Sequence, residues 1–145
     1  MTPWTYAGEH LPWLRGQGFH IAATGTEPLV ERALAEAAFT ITRGHSATRW
    51  SRYQAVVEAL DLPPTAANNL DALTDSLRDL PSSWAGTSRL ALLWTGADSL
   101  LLTDLWAFTQ AAAILQSATA DCWSDGMVFE SVAFVAGFGA DKPAT

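Results

Sequence analysis

Apolar residues along the chain fall alternately into short runs of strand length and longer stretches with helical spacing. Residues 18–25 (GFHIAATG) predict a first strand, and residues 27–38 (EPLVERALAEAA) predict a helix, because their apolar positions recur at helical intervals in an alanine-rich background. A second pair follows, with a strand predicted over residues 39–44 (FTITRG) and a helix over residues 49–62 (RWSRYQAVVEALDL). The predicted buried stripe of that helix contains Trp50, Tyr53, Val57 and Leu60.

A proline turn separates this helix from the next one. Pro63 and Pro64 must end the helix, because proline lacks an amide hydrogen and disfavours helical geometry in the residue before it. The following helix is predicted to begin near Asn68 or Asn69, either of which suits the capping position. Its apolar face is predicted to contain Leu70, Leu73 and Leu77.

The second half of the chain repeats the same alternation. Residues 89–96 (RLALLWTG) form a continuous apolar run, which predicts a central strand buried on both faces. Residues 101–119 predict one helix, and residues 129–138 (FESVAFVAGF) predict the last strand. The core-facing arc of this helix is predicted to contain Leu101, Leu105, Phe108, Ala112 and Leu115. Strands that alternate with helices indicate an α/β fold with a mainly parallel sheet and right-handed crossovers.

Composition narrows the class of protein and the kind of partner. The chain has 145 residues, 49% of them hydrophobic, so a single domain with one core is expected. A net charge of -7 opposes binding to nucleic-acid phosphates or anionic lipid and favours a basic partner. Neither a membrane span nor a targeting segment is apparent, and the one cysteine, Cys122, suits a reducing compartment and a place in the core. We therefore expect a cytoplasmic protein.

Residues that commonly support catalysis or metal binding form no familiar motif in this sequence. His10, His20 and His45 lack a second ligand at helical spacing. Gly16 and Gly18 lack the third glycine of a nucleotide-binding loop, and neither a Walker loop nor a nucleophile elbow occurs. We therefore expect no enzymatic activity, no metal and no cofactor.

An acidic stripe runs along the helix that follows the proline turn. Asp71, Asp75 and Asp79 recur at steps of four residues on the side opposite the leucines, so they are predicted to face outward. Like charges at this spacing destabilise a helix by a few tenths of a kcal/mol. The helix dipole favours Asp71 in the first turn but not Asp75 or Asp79, although Arg78 could partly neutralise its neighbours. Two interpretations stay open, a solvated face and a binding face.

Tryptophans are expected mostly in the core. Trp50 and Trp94 lie on predicted packing positions, and Trp123 is assigned to the core with them. Trp84 falls in a polar turn, where it could either face a partner or fold onto the core, and we favour the core.

The segment LDLPPTAANNLDALTDSLRDL (residues 60–80) resembles the barstar-type ribonuclease inhibitors, in which a helix end, a proline turn, an asparagine and an NLDAL helix follow one another. The order of the surrounding strands and helices agrees, and the resemblance covers residues 38–138. It implies a parallel sheet of three strands with packed helices in one domain. Residues 1–37 then form an N-terminal extension that offers a fourth strand, and residues 139–145 form a tail.

The resemblance implies a function by substrate mimicry. Carboxylates on this helix would occupy the place of RNA phosphates in the active-site cleft of a basic secreted nuclease, so that the chain inhibits the toxin inside its own cell. Asp75 matches the family's central aspartate and Asp71 matches a flanking acidic position, while residues 64–68 match the loop that covers the cleft. The full set of expected partner-binding residues is Thr65, Asn68, Asp71, Thr74, Asp75 and Asp79.

The sequence departs from the family pattern next to these aspartates. The family often has tyrosine, glycine and tryptophan there, whereas this chain has Thr65, Ala66, Ala67 and Thr74. Buried aromatic residues usually dominate the binding energy of an interface, so their absence changes what the partner contacts. The alternative function is therefore a barstar-like protein-interaction module that no longer binds a nuclease.

Overall fold

The structure, a computed structural model, describes residues 18–46 and 52–136. Within these two ranges the strands are β1 (Phe19–Ala23), β2 (Thr40–His45), β3 (Arg89–Thr95) and β4 (Val128–Val135). The α-helices of the same ranges are α1 (Glu27–Glu36), α2 (Gln54–Leu60), α3 (Leu70–Arg78), α4 (Leu80–Ser83), α5 (Asp98–Thr103) and α6 (Leu105–Ser124). His10, Trp50 and the predicted tail at residues 139–145 lie outside the described residues.

The four strands form one parallel sheet in the order β1-β4-β3-β2. β3 pairs with β2 on one side and with β4 on the other, as expected for the continuous apolar run that forms it. The parallel α/β fold predicted from the sequence is confirmed. The N-terminal extension supplies the fourth strand, because β1 pairs with β4 from Phe19 opposite Ser131 to Ala23 opposite Val135.

Helices cover both faces of the sheet and create two hydrophobic clusters. On one face, Val30 and Leu34 of α1 pack against Leu93 of β3 and Phe134 of β4. The opposite face carries the larger cluster, which joins α2, α3 and α6 to the alternate residues of β3 and β4. The predicted stripe residues Tyr53, Val57 and Leu60 are buried in this second cluster. The acidic helix therefore belongs to the layer of helices opposite α1.

Close packing between β2 and α2 sets the position of the proline turn. A Cβ atom on Gly44 would overlap the main-chain carbonyl of Ala55, so glycine at this point lets the helix approach the strand. Thr42 strengthens the contact, since its hydroxyl donates a hydrogen bond to the carbonyl of Ala59 over 2.7 Å. The end of α2, and with it the start of the loop that leads to α3, is thereby held against the sheet.

The prediction of one continuous helix over residues 101–119 was wrong. Asp104 takes an extended conformation (φ −153°, ψ 79°) and separates α5 from α6. Its side chain then caps the second helix, because the Ala107 amide donates to Asp104 Oδ1 over 3.0 Å. The predicted arc is wrong at Leu105, which is 63% exposed. The buried face of α6 contains Ala107, Phe108, Ala111, Leu115, Ala118 and Cys122.

The tryptophans divide between core and surface. Trp94 is buried, and Trp84 folds onto the second cluster with its indole N–H donating to the Leu60 carbonyl over 3.0 Å, so both core assignments are confirmed. The assignment of Trp123 to the core was wrong, because this side chain is 57% exposed at the end of α6. α6 ends at Ser124, one residue after this indole, and β4 begins at Val128.

Candidate protein-binding site

Helix α3 begins with a side-chain cap. The amide of Ala72 donates to Asn69 Oδ1 over 3.1 Å, which identifies Asn69, rather than Asn68, as the capping residue. Asp71 follows in the first turn, where the exposed amides of the helix terminus favour a negative charge. One member of the acidic stripe is therefore compatible with helix stability by itself.

The helix buries one side and presents the other to solvent. Leu73 and Leu77 are almost completely buried in the second cluster, and Leu70 is half-buried against it. Asp71, Asp75 and Asp79 are all exposed, and the Asp75 side chain retains 77% of its accessible surface. The prediction that the stripe faces outward is confirmed.

One guanidinium lies among these carboxylates and is shared between two of them. Arg78 Nε lies 3.6 Å from Asp121 Oδ2 on α6, and Arg78 Nη1 lies 4.0 Å from Asp75 Oδ1. The shorter contact goes to Asp121, a residue that the sequence did not single out because only the packing of α6 against α3 brings it here. Within the described ranges, Asp71 and Asp79 take part in no ion pair. The surface thus carries four carboxylates against one cation.

One guanidinium among four carboxylates leaves this surface with a net negative charge, and exposed ion pairs at such distances contribute little to stability. The Arg78 side chain is 61% exposed, so solvent weakens both of its contacts. We name the surface formed by Asp71, Asp75, Asp79 and Asp121 the acidic face.

The loop before α3 lies at the N-terminal end of the acidic face. A 3₁₀ turn over Pro64–Ala67 leads into Asn68, and both Thr65 and Asn68 are exposed. A main-chain hydrogen bond fixes the end of this turn, because the Tyr53 amide donates to the Ala67 carbonyl over 3.0 Å. A groove of about 450 Å³ runs between this turn and α2, with the exposed carboxylates of Glu58 and Asp61 in its lining. The negative surface thus continues past the start of α3.

Thr74 differs from the other expected site residues in its exposure. It is half-buried, and its hydroxyl donates to the Leu70 carbonyl one turn earlier over 2.8 Å. The structure therefore groups Asp71, Asp75 and Asp79 on one exposed helix face, with Thr65 and Asn68 on the adjoining loop and Thr74 half-buried on the same helix.

Helix α6 runs beside α3 in the same direction. At one end, the Tyr53 hydroxyl donates to the Ala107 carbonyl over 3.4 Å while its own amide binds Ala67. At the other end, the Cys122 thiol lies 3.8 Å from the Leu77 carbonyl, and Asp121 meets Arg78. The C-terminal ends of α3 and α6 therefore lie side by side, and the longer α6 extends past the N-terminal end of α3.

The two histidines of the described residues contact residues that are not part of the acidic face. His20 and Glu130 contact each other at 2.7 Å in the interior, and His45 Nδ1 lies 2.9 Å from the Thr95 hydroxyl. In the part of the chain that the structure describes, no group of three or more His, Cys, Asp or Glu side chains could hold a metal ion. None of the helices described has the length and apolar character that crossing a bilayer would require.

Fold and surface together define a small parallel α/β protein that carries an exposed acidic helix in the layer opposite α1. The family whose model matches this chain is described as Barstar (barnase inhibitor), and the match covers residues 36–133. The chain belongs to the barstar family, whose members inhibit ribonucleases and are not enzymes. No curated protein and no solved structure gives a significant match.

Proposed function

We propose that this protein is an intracellular inhibitor of a basic ribonuclease toxin. Its acidic face would enter the active-site cleft of the enzyme, where Asp71 and Asp75 take the place of RNA phosphates. Inhibition is stoichiometric and needs no chemical step, since the bound inhibitor blocks the cleft to substrate. Asn68 and Thr65 would contact the rim of the cleft from the loop, and Asp79 and Thr74 would extend the contact along α3.

The observation that carries the proposal is the exposed row of aspartates on α3, of which only Asp71 is favoured by the helix dipole. Like charges at steps of four residues oppose helix formation, and the dipole disfavours Asp79 at the C-terminal end. Arg78 offsets only part of this charge, because it is shared with Asp121. A cationic cleft offers these carboxylates charge-assisted hydrogen bonds that the protein itself does not supply.

Electrostatic steering follows from the same arrangement. The chain carries a net charge of -7, and the acidic face concentrates negative charge on one side of a helix. Oppositely charged surfaces raise the rate of encounter, and salt weakens that effect. Membership of a family of ribonuclease inhibitors supports a nuclease as the partner.

The direct test is an inhibition assay with purified protein. Barnase, which the family description names, and any ribonuclease encoded next to this gene are titrated with wild-type protein and with Asp75→Ala. We expect one-to-one inhibition by the wild type and a loss of at least tenfold in affinity for Asp75→Ala. Glu36→Ala serves as the matched control, because Glu36 is an exposed carboxylate on α1, across the sheet from α3. Equal affinity of Asp75→Ala and wild type would contradict the proposed mechanism.

A second candidate function has its own observation. The positions where the family often has aromatic residues hold threonine and alanine, and the hydroxyl of Thr74 is already engaged by the carbonyl of Leu70. A protein-interaction module that has lost nuclease binding would show this pattern. Wild-type protein that associates with another cellular protein while leaving both nucleases fully active would favour this candidate.

A further inference from the structure

Three large apolar side chains are exposed close together at the junction of α5 and α6. Leu102 is 80% exposed, Leu105 63% and Trp106 58%, and all three fall within five consecutive residues. Isolated exposed apolar residues are common, but a group of this kind marks a contact surface. We name the surface formed by Leu102, Leu105 and Trp106 the apolar patch.

The local structure holds the apolar patch at the surface. Asp104 ends α5 and caps α6, because its Oδ1 accepts a hydrogen bond from the Ala107 amide over 3.0 Å. Ala107 is fully buried, and its carbonyl accepts the hydrogen bond of the Tyr53 hydroxyl. Rotation of the first turn of α6 to bury Trp106 would have to break both contacts.

The charges next to the apolar patch balance each other. Asp104 lies between Leu102 and Leu105 in the chain, and its Oδ2 lies 3.2 Å from Arg52 Nε. Residues 99–120 contain no other charged residue. Asp98, the next carboxylate toward the N-terminus, is half-buried at the first residue of α5. The patch therefore has one cation and one anion at its border, in a chain with a net charge of -7.

This charge pattern selects the occupant of the patch. A strongly basic partner finds more complementary charge on the acidic face than on a surface where the charges balance. Two copies of the chain repel each other through their net charge, so they meet most favourably where negative charge is low and apolar area is exposed. A two-fold interface also requires a self-complementary surface, and apolar side chains bordered by one cation and one anion meet that requirement. The patch therefore fits a second copy of this chain.

We propose that the apolar patch joins two copies of this chain in a two-fold symmetric dimer. Leu102, Leu105 and Trp106 of one copy would pack against the same patch of the other. Arg52 would then face Asp104 of the partner subunit at the border, and its side chain, which is 51% exposed, is accessible to both carboxylates. This inference goes beyond the proposed function and does not depend on it.

The size of the patch sets the expected strength of the dimer. A large side chain offers about 150–250 Å² of contact area, so the exposed fractions of the three residues correspond to an area on the order of 400 Å² per copy. A stable complex buries about 800 Å² per partner, and weak ones bury less. Arg52, Thr103 and Thr109 are exposed around the patch and would add to the area. We therefore expect a reversible dimer with a dissociation constant on the order of 1–100 μM.

Trp123 provides a matched control on the same helix. It is 57% exposed, almost the same as Trp106, but lies about 25 Å further along α6. It lines a different cleft, together with Val128 and Phe129 of β4. Substitution of either tryptophan removes a similar exposed side chain, and only Trp106 belongs to the apolar patch.

The test is sedimentation equilibrium of the purified protein over about 1–500 μM, which measures the monomer–dimer dissociation constant. We expect Trp106→Ala and Leu102→Ala each to weaken the dimer at least about tenfold, because each substitution acts twice in a symmetric interface. Trp123→Ala should stay within about twofold of wild type. Circular dichroism and thermal unfolding verify that each variant keeps its fold.

Two further variants examine the charges. Asp104→Asn retains a side-chain oxygen that can cap α6 but removes the negative charge, and we expect it to weaken the dimer about two- to tenfold. The double variant Asp71→Asn/Asp75→Asn changes the acidic face instead and should not weaken the dimer. Dimerisation that requires Asp71 and Asp75 would contradict the role of the apolar patch.

Each outcome supports or overturns the inference. Wild-type protein that stays monomeric at every concentration overturns the dimer and leaves the patch to a partner of another kind. A dimer that Trp106→Ala and Trp123→Ala weaken equally also overturns it, as does association beyond two copies, because a two-fold interface closes at the dimer. A dimer weakened by Trp106→Ala and Leu102→Ala but not by Trp123→Ala supports it. No nuclease is present in the measurement, so its failure leaves the proposed function intact.

Discussion

His20 Nε2 on β1 and Glu130 Oε1 on β4 lie 2.7 Å apart in the interior, with side chains only 4% and 5% exposed. The pair joins the strand of the N-terminal extension to the strand at which the family domain ends. The second carboxylate oxygen accepts from the Gly18 amide at 3.4 Å. Removal of one partner from such a buried pair leaves a polar group without its contact in the core.

We therefore predict that Glu130→Ala lowers the free energy of unfolding by about 3 kcal/mol. Glu130→Gln should cost less, because the amide oxygen can still accept a hydrogen bond from His20. Urea unfolding monitored by circular dichroism measures both. Glu36→Ala, which removes an exposed carboxylate, is the control and should stay within about 0.5 kcal/mol of wild type. Equal stability of Glu130→Ala and Glu36→Ala would show that the pair does not anchor β1.

Substitution of Gly44 should also lower the stability of the protein. A methyl group at this position would overlap the carbonyl of Ala55, and main-chain atoms cannot move aside as a flexible side chain can. Gly44→Ala should lower the free energy of unfolding by about 1–3 kcal/mol or more, by displacing α2 from β2. Gly25→Ala is the control, because no atom lies within 4 Å of the added carbon there. The same unfolding experiment compares them, and a tolerated Gly44→Ala would contradict the described contact between α2 and β2.

Burial of Cys122 should make the stability of the protein depend on pH in the alkaline range. Burial against α3 raises the pKa of the thiol from 9.0 to about 11, with smaller contributions from Asp121 and Asp125. The folded state therefore holds the proton more tightly than the unfolded state does. This contribution to stability is fully present below pH 9 and is lost as the pH rises toward 11.

The measurement is urea unfolding between pH 8 and about 11, with Cys122→Ala as the reference. The pKa of Tyr53 is also raised by burial, so only the difference between wild type and variant isolates the thiol. We expect the difference in unfolding free energy between wild type and Cys122→Ala to shrink as the pH rises. In native protein at neutral pH, a thiol-specific reagent should also fail to label Cys122 until urea is added. Rapid labelling of the native protein would place the thiol at the surface instead.

Substitution of Asp75 should weaken binding to a nuclease while leaving the stability of the protein nearly unchanged. Asp75→Asn removes a charge that its neighbours on α3 repel, and it also removes a weak, exposed ion pair with Arg78 at 4.0 Å. Because these two effects oppose each other and both are small, the free energy of unfolding should change by less than about 0.5 kcal/mol. The association rate with a nuclease partner should nevertheless fall, and its decrease with added salt should become shallower. Stopped-flow measurements at several salt concentrations determine both. A rate with unchanged salt dependence would indicate that Asp75 takes no part in steering.

Local sequence pattern was enough to predict every strand among the described residues and most of the helices. The alternation of apolar runs with helical spacing requires parallel strands joined by helices, and the continuous run of β3 requires burial on both faces. The outward direction of Asp71 and Asp75 follows from helical periodicity, because the leucines of the same helix occupy the opposite side.

The break at Asp104 was not visible in that pattern. Leu101 and Leu105 have the spacing of one helix, but the Asp104 side chain caps a new helix and also contacts Arg52, which is distant in sequence. Trp123 was assigned to the core for a similar reason, since its apolar character says nothing about which elements lie nearby.

The sequence by itself determined the fold class, the cap region of α3 and the exposed row of aspartates, because these depend on periodicity and on residues close together in the chain. The tertiary structure decided which groups share the acidic face, because Arg78 meets Asp121 only where α6 packs against α3. It also decided that the N-terminal strand joins the sheet through His20 and Glu130. Contacts between residues distant in the chain depend on how the helices and strands pack, and no local pattern encodes that packing.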